Sequence, residues 1–426
     1  MLLLFLAANL YSIDKGIVGV MAEQIRVGLS MSDVQMGLLL GLAYVLLGGI
    51  LGLGFGYLVD RHIRRTILAI SIIVWSFGTA ASGFAHGFTS LFICRALVGL
   101  GEAAIAPAAI SLIADMFPPH RRGRALGSYF IGATIGSALS SIIPGQIIAA
   151  QIQLPELGFG PLAPWRSVFV LCGAAGPLIG LLLLTIREPV RQDVRSLRSE
   201  NAPLRENFAY LWQHRRVIVP LYAGFCLHYV AFVGIIAYTA TFLARQYHVT
   251  LVDFAGRLGI MVLIAGGAGY VFGSILTDSA PCRLPGGKLV LLSILPLLAL
   301  PSAMSGLAPH LLTALVMLTG MSFTTPIINV TMNTSLYELL PNRMRGFAYA
   351  LLSVIVALPA GAGGPFAIAW ATQHIIGDPA QIGRAFLIVG APVLLAASGC
   401  FFFAWRGFQR SVRPNNANAA VQFSQA

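Results

Sequence analysis

"DMFPPHRRGRA", Asp115 to Ala125, and "ELLPNRMRGFA", Glu338 to Ala348, are one pattern written twice. A gapless shift of 223 residues lays Asp115, Pro118, Arg122, Gly123 and Ala125 on Glu338, Pro341, Arg345, Gly346 and Ala348. A second echo, at 218, lays Arg166 of "PWRSVFV" on Arg384 of "IGRAFLI". Both pairs fall at equivalent places between apolar segments: a fourth-to-fifth connection and the start of a sixth helix. Parallel repeats of six helices mark transporters that rock two bundles around a central site.

Composition agrees. The 426 residues are 57% hydrophobic and only 10% charged, with mean hydropathy +0.82, against about 25% charged residues in soluble domains. That length holds roughly a dozen spans of ~20 residues with short connections. Cys94, Cys172, Cys226, Cys282 and Cys400 have no paired spacing, so neither a disulfide framework nor a metal site is expected. The apolar run from Met1 has no basic leader and no small-residue cleavage site. It reads as a first membrane helix, with room for a longer N-terminal tail before it, and not as a signal peptide.

Helices are expected at roughly 1–24, 34–59, 66–86, 88–115, 124–152, 165–186, 216–246, 254–279, 288–308, 310–340, 346–376 and 383–406, each long enough to span with some tilt. Alternate connections then carry unequal charge. Twenty of the 27 Lys and Arg residues lie on one side, among them Arg61, Arg64, Arg65, Arg121, Arg122, Arg124, Lys288 and Arg343. Five lie on the other, Arg26, Arg166, Arg245, Arg257 and Arg384, while Lys15 and Arg95 fall inside helices. The net charge of +12 is thus a topology signal and not a nucleic-acid surface. By the positive-inside rule the arginine-rich side is cytoplasmic and both termini lie there; a missed helix would invert the parity. The expectation is an all-α, multi-pass protein of the cytoplasmic (inner) membrane, with twelve helices in two pseudo-symmetric six-helix bundles. The bundles take residues 1–186 and 216–410, joined by a cytoplasmic linker at 187–215 and followed by a tail at 411–426. Within the linker, "PLRENFAYLWQHRR" has helical amphipathic spacing and is either a short surface helix or a solvated strap.

"GYLVDRHIRR", Gly56 to Arg65, resembles the signature loop of the major facilitator superfamily, G-x-L-a-D-r-x-G-r-[RK], with Ile63 where the second glycine usually stands. Within that superfamily, "YSIDKGIVGVMAEQI" in helix one and "RALVGLGEA" in helix four resemble the spinster family, Asp14-Lys15 occupying the usual Asp-Arg. "LPAGAGGP" in helix eleven is a looser match. The resemblance implies lysolipid or sphingosine-1-phosphate export, with proton linkage in bacterial members. It also implies that Asp60 latches onto a neighbouring helix end in the outward-facing state, with Arg122 and Arg124 as candidate partners. Arg61, Arg64 and Arg65 complete that gating loop, or serve topology alone.

Asp14, Lys15, Arg95 and Glu102 lie in stretches otherwise apolar enough to cross a bilayer. Each ionised group at membrane depth costs at least a few kcal/mol, so a polar path through the body is expected. Asp14 and Arg95 fall within ~5 Å of the same depth, and Glu102, seven residues beyond Arg95, returns to the same face ~10 Å deeper. Asp14 and Glu102 are candidate proton sites; Arg95 is a candidate for a carboxylate or phosphate headgroup. The alternative is that these charges only tie helices together. Lys15 points ~100° from Asp14 and either pairs elsewhere or snorkels. Gly99 and Gly101 admit a close helix or leave room for a ligand, whereas Gly48, Gly52 and Gly56 suggest close packing. His228, Tyr229, Tyr238, Asn329 and Asn333 are candidate cavity residues, or join neighbouring helices by hydrogen bonds.

The reading that follows is a proton-linked transporter of a lipid-like anion or zwitterion, acting by alternating access as a monomer among membrane lipids. Multidrug efflux and small organic anion transport are the rivals within transport. A channel or sensor is disfavoured by the repeat. An enzyme is disfavoured because no nucleotide loop, zinc ligand set or nucleophilic triad is present, and no cofactor is expected.

Overall fold

Long apolar helices with small-residue faces build this chain. The computed structural model describes residues 1–48, 58, 61–156, 160–189, 204–341 and 344–412. Asp60, Gly52, Gly56, Arg343, residues 190–203 of the linker and most of the tail lie outside the described residues.

Among the described residues eleven helices are long and apolar enough to span a membrane. A twelfth, the second in chain order, is described over Asp33–Gly48, where its expected remainder passes outside the described residues. The all-α fold follows, with one two-residue antiparallel pairing, Pro155–Glu156 with Gly160–Pro161.

The first span is interrupted: α1 (Leu2–Val20) ends at Met21 and α2 (Ala22–Gly28) follows. Ser32 then starts α3 (Asp33–Gly48) with a capping box, its hydroxyl accepting from the Gln35 amide at 3.1 Å while the Gln35 side chain accepts from the Ser32 amide at 3.0 Å. After α4 (Arg64–Ser82), the fourth expected helix appears in two pieces, α5 (Phe88–Glu102) and α6 (Ile105–Met116). Next comes α7 (Pro119–Ala149), which begins earlier than its expected 124 because Pro119 is preorganised for the first turn. This places Arg121 and Arg122, together with Arg124, on the helix. The spans continue as α8 (Pro164–Leu183), then the short α9 (Leu204–Gln213) and α10 (Arg215–Tyr247). The linker segment that reads as amphipathic therefore does fold, burying Leu211 and exposing Phe208 and Trp212. The last spans are α11 (Leu251–Thr277), α12 (Gly287–Leu298), α13 (Leu311–Leu339), α14 (Arg345–Leu358) and α15 (Ala391–Val412). A π-helical turn, Pro359–Gly363, follows α14 in the "LPAGAGGP" stretch.

Two compact units result. The first holds Met1–Gln192 with Ile236–Leu263 and Gly361–Ile382; the second holds the remainder. Leu4, Leu68, Ile72, Trp75, Val98, Ile105 and Leu112 form the core of the first. Leu221, Leu292, Ile328, Met332, Leu340 and Phe401 form that of the second. Small residues set the closest crossings. A Cβ on Gly99 would stand 2.1 Å from the Tyr44 carbonyl oxygen, and one on Gly48 would stand 2.6 Å from that of Gly99. Backbone meets backbone there, so these glycines serve helix packing and leave no ligand space. Large apolar side chains such as Phe77, Leu178, Ile264 and Leu312 are exposed, the surface expected of a lipid-facing body.

Candidate functional site

Asp14 on α1, Thr79 and Ser82 on α4, and Arg95 on α5 form a buried polar chain in the first unit. Thr79 Oγ1 donates to Asp14 Oδ1 at 2.6 Å. Arg95 Nη2 donates to Thr79 Oγ1 at 3.0 Å and Arg95 Nε to Ser82 Oγ at 3.1 Å. Arg95 Nη1 and Asp14 Oδ2 face each other at 3.6 Å, and neither atom has a hydrogen-bond partner. The guanidinium lies 5.3 Å from the Phe169 ring centroid, and Arg95 is 0% exposed. The structure thus brings Asp14 and Arg95 together as their depths suggest, but seals Arg95 from any ligand in this state. Thr79 and Ser82, three residues apart near the end of α4, carried the signal that sequence reasoning passed over.

Glu102 terminates α5. Pro107 in the next turn has no N–H to give the Ala103 carbonyl, and the helix breaks at Ala103 and Ala104 before α6 starts. The carboxylate is buried, and both of its oxygens lack a hydrogen-bond partner. Asp14, Tyr44, Lys15 and Arg95 are within electrostatic reach of it. Lys15 is the exposed residue of the group; its ammonium donates to Tyr11 Oη at 3.4 Å and lies 5.6 Å from that ring centroid. Adjacent residues on α1 therefore differ in role: Asp14 is sealed in, and Lys15 reaches open space within range of Glu102.

At the arginine-rich end, Arg64 is buried and not at an open mouth. It donates to Asp115 at the end of α6, to Ser111 Oγ at 2.9 Å, and through Nε to Glu188 Oε1 at 2.8 Å. The Arg64 and Arg65 amides also donate to Glu188, at 3.2 and 3.1 Å. Burial raises the Glu188 carboxyl, but these donors outweigh it and hold the group below its ordinary range. Arg65 caps the end of α8 through the Leu184 and Ile186 carbonyls, and Arg122 Nε donates to the Phe117 carbonyl at 3.1 Å. Arg61 and Arg124 are exposed; Asp60, the expected latch, lies outside the described residues. The sequence repeat has a structural counterpart. Lys288, which opens α12, pairs with Glu338 near the end of α13, in the position where Arg64 at the start of α4 meets Asp115.

The opposite end of the first unit has its own ion cluster. Arg245 on α10 donates from Nη2 to Asp33 Oδ1 at 2.6 Å and from Nη1 to Asp33 Oδ2 at 3.2 Å, a two-pronged pairing. Its Nε donates to Glu23 Oε2 at 2.8 Å. Arg26 holds Glu23 at 2.7 Å. Burial raises the Glu23 carboxyl, and hydrogen bonds from Arg26 and Arg245 bring it below its usual range. Tyr238, read as a cavity residue or as a helix-to-helix donor, takes the second role: it is fully buried and donates to the Asp33 carbonyl at 3.2 Å. Arg26 and Arg245 entered the sequence reading only as topology counts, because charges on separate helices show no spacing that pairs them.

In the second unit, Tyr229 on α10 with Asn329 and Asn333 on α13 line one pocket of about 190 Å³, together with Phe225, Tyr349, Leu352, Ser353, Val356 and Ala357. His228 lies apart from it, fully buried with Nε2 3.0 Å from Thr325 Oγ1. No group of His, Cys, Asp and Glu able to hold a metal occurs among the described residues.

The profile of the Major Facilitator Superfamily matches residues 4–365. An MFS-type efflux pump of Mycolicibacterium smegmatis is 24% identical over 96% of this chain and 92% of its own length. A probable L-galactonate transporter of Escherichia coli is 29% identical over 65% of this chain and 61% of its own. Among solved structures, a bacterial homologue of the human lysosomal transporter spinster, inward-facing and unoccupied, superposes with a TM-score of 0.82 at 24% identity. That match covers 96% of this chain and 97% of the other.

Proposed function

This chain belongs to the Major Facilitator Superfamily, and on that basis we propose that it is a proton-linked secondary transporter of an amphipathic organic anion of the lysophospholipid class. Glu102 carries the proposal. An ionised carboxylate buried with only the Tyr44 hydroxyl beside it is expensive, so a proton or a cationic group is the further partner this position needs. Asp14, bridged to Arg95 through Thr79, is the second proton site. Loss or gain of a proton at either carboxylate changes what Arg95 and Lys15 are paired with. Because inward-open and outward-open states offer those cations different partners, proton occupancy biases the balance between them. Lys15, exposed and within reach of Glu102, is the cation that meets the anionic headgroup in the state described; Arg95 is released to it only when its Asp14 and Thr79 partners separate.

The arginine-rich end is assigned to the cytoplasm of a bacterial inner membrane by the positive-inside rule, with both termini there. The Arg64 cluster then braces the cytoplasmic ends of α4, α6 and α8, and the Arg245 cluster closes the outer ends of α2, α3 and α10. A single chain suffices for this mechanism.

The resemblance to spinster proteins supports a lipid-like substrate, while the match to the probable L-galactonate transporter favours a small hydroxylated acid as the second reading. Flux of labelled lysophospholipid into proteoliposomes under an imposed pH gradient tests the first. Saturable uptake that collapses with the gradient and resists cationic dyes supports it. Competition by the dyes would indicate drug efflux, and uptake of galactonate alone would establish the second reading.

A further inference from the structure

We infer that the second unit carries a subsite for a hydroxyl-rich, uncharged part of the substrate. This rests on the transporter reading above and goes further, because it specifies chemistry that an acyl chain lacks. The pocket of about 190 Å³ is lined by Phe225 and Tyr229 of α10, Asn329 and Asn333 of α13, and Tyr349 and Ser353 of α14. Its volume equals about six waters at ~30 Å³ each, room for a glycerol or part of a sugar chain.

The hydrogen bonds inside the pocket leave a defined remainder. Tyr229 donates to Asn329 Oδ1 at 2.8 Å, which aims the Asn329 amide with its NH2 group unused. Asn333 Nδ2 donates to the Asn329 backbone carbonyl at 2.8 Å, which leaves Asn333 Oδ1 as an acceptor. Ser353 donates to the Tyr349 carbonyl at 3.0 Å, and its oxygen can still accept. A donor and an acceptor thus sit one helical turn apart, beside two rings whose centroids are 4.8 Å apart, those of Phe225 and Tyr229.

Each candidate ligand class can be weighed against that inventory. Among the described residues of the lining, a carboxylate or phosphate would find no Lys, Arg or His, and an ammonium would find no acid. A bare alkyl chain would strand the two amides without partners, at about 1–3 kcal/mol for each buried group left unmade. A hydroxyl both donates and accepts, and neighbouring hydroxyls satisfy both asparagines while their carbons lie against the rings. The second unit therefore offers a neutral polar subsite. The chemistry is a polyol attached to an anion, whether it comes from a lipid headgroup or from a free sugar acid.

The test is binding to the purified full chain at fixed pH, using ligand pairs that differ in their hydroxyls. L-galactonate against hexanoate is the free-acid arm, and lysophosphatidylglycerol against lysophosphatidic acid is the lipid arm. The hydroxylated member of at least one pair should bind at least about tenfold tighter to wild type. Asn333→Leu should abolish that preference while leaving its partner's affinity within about twofold, and Tyr229→Phe, a milder change, should reduce it. Equal binding within both pairs, or a preference that survives Asn333→Leu, overturns the subsite. If none of the four anions binds, the transport reading fails separately. The subsite is then judged by whether galactitol protects Ser353→Cys from maleimide in a background free of native cysteines. Protection that Asn333→Leu abolishes sustains it; no protection overturns it.

Discussion

Arg95 Nη1 and Asp14 Oδ2 stand 3.6 Å apart, each without a hydrogen bond, while Thr79 bridges the remainder of the two groups. A pair that is aligned but not closed costs little to rearrange, and a fully bonded fork would not have that property. Thr79→Val removes the bridge and leaves Asp14 Oδ1 and Arg95 Nη2 unpartnered. Thermal unfolding in detergent should show a loss of about 1–3 kcal/mol, and the pH profile of transport should move. An unchanged profile would make Thr79 a packing residue only.

Removing one charge of the buried pair should harm stability more than removing both. Arg95→Gln alone leaves Asp14 uncompensated and is expected to cost about 3–5 kcal/mol, much of it recovered when Asp14→Asn is added. Additive losses in the double-mutant cycle would show that the two side chains are not coupled.

The repeated ion pairs separate burial from mere presence. The Arg64 side chain is 2% exposed and that of Glu338 is 62%. Asp115→Asn should therefore be strongly destabilising, whereas Glu338→Gln should alter stability by at most about 1 kcal/mol, as exposed pairs do. Chemical denaturation of both variants checks the contrast.

Acid should loosen the arginine-rich end. The Glu188 carboxyl is held below its ordinary value of 4.5, so folding favours its ionised form. Its contribution is complete above about pH 4.5 and is lost as pH falls through the lowered folded value. Glu188→Gln should remove that acid limb from the stability curve while changing little of its slope near neutrality. An acid limb that persists in the variant points to Glu23 instead.

Arg245 ties Asp33 to Glu23 at the end opposite the arginine cluster. Arg245→Gln should favour opening there, so Val34→Cys should react several-fold faster with an impermeant maleimide added from outside. An unaltered rate would mean that these ends are held by helix packing.

Much of the fold was legible before any coordinates. Apolar runs set the spans, whereas the compact units take Ile236–Leu263 and Gly361–Ile382 into the first and so do not follow the expected division at 187–215. Helix edges were less readable, because Pro119 extends α7 and Pro107 breaks the fourth span just beyond Glu102, effects that a window of hydropathy averages away. At the site, the depths of Asp14 and Arg95 followed from residue counting. The burial of Arg95 and the exposure of Lys15 did not, since both depend on rotation against α4 and α8. Tyr238 shows the same limit: a polar tip in an apolar helix fits a cavity or a helix-to-helix bond equally well, and only its neighbour Asp33 decides. The Arg245–Asp33 pairing joins positions far apart in sequence, with no local pattern to betray it.

The central claim is that proton occupancy at Glu102 and Asp14 drives the transport cycle. Purified protein in vesicles loaded with a pH-sensitive dye, challenged with lysophospholipid in the absence of any imposed gradient, tests it directly. The account predicts substrate-dependent proton movement by wild type, abolished by Glu102→Gln or Asp14→Asn even though the substrate still binds. Proton movement that persists in both variants, or substrate flux with no proton movement in wild type, would contradict it.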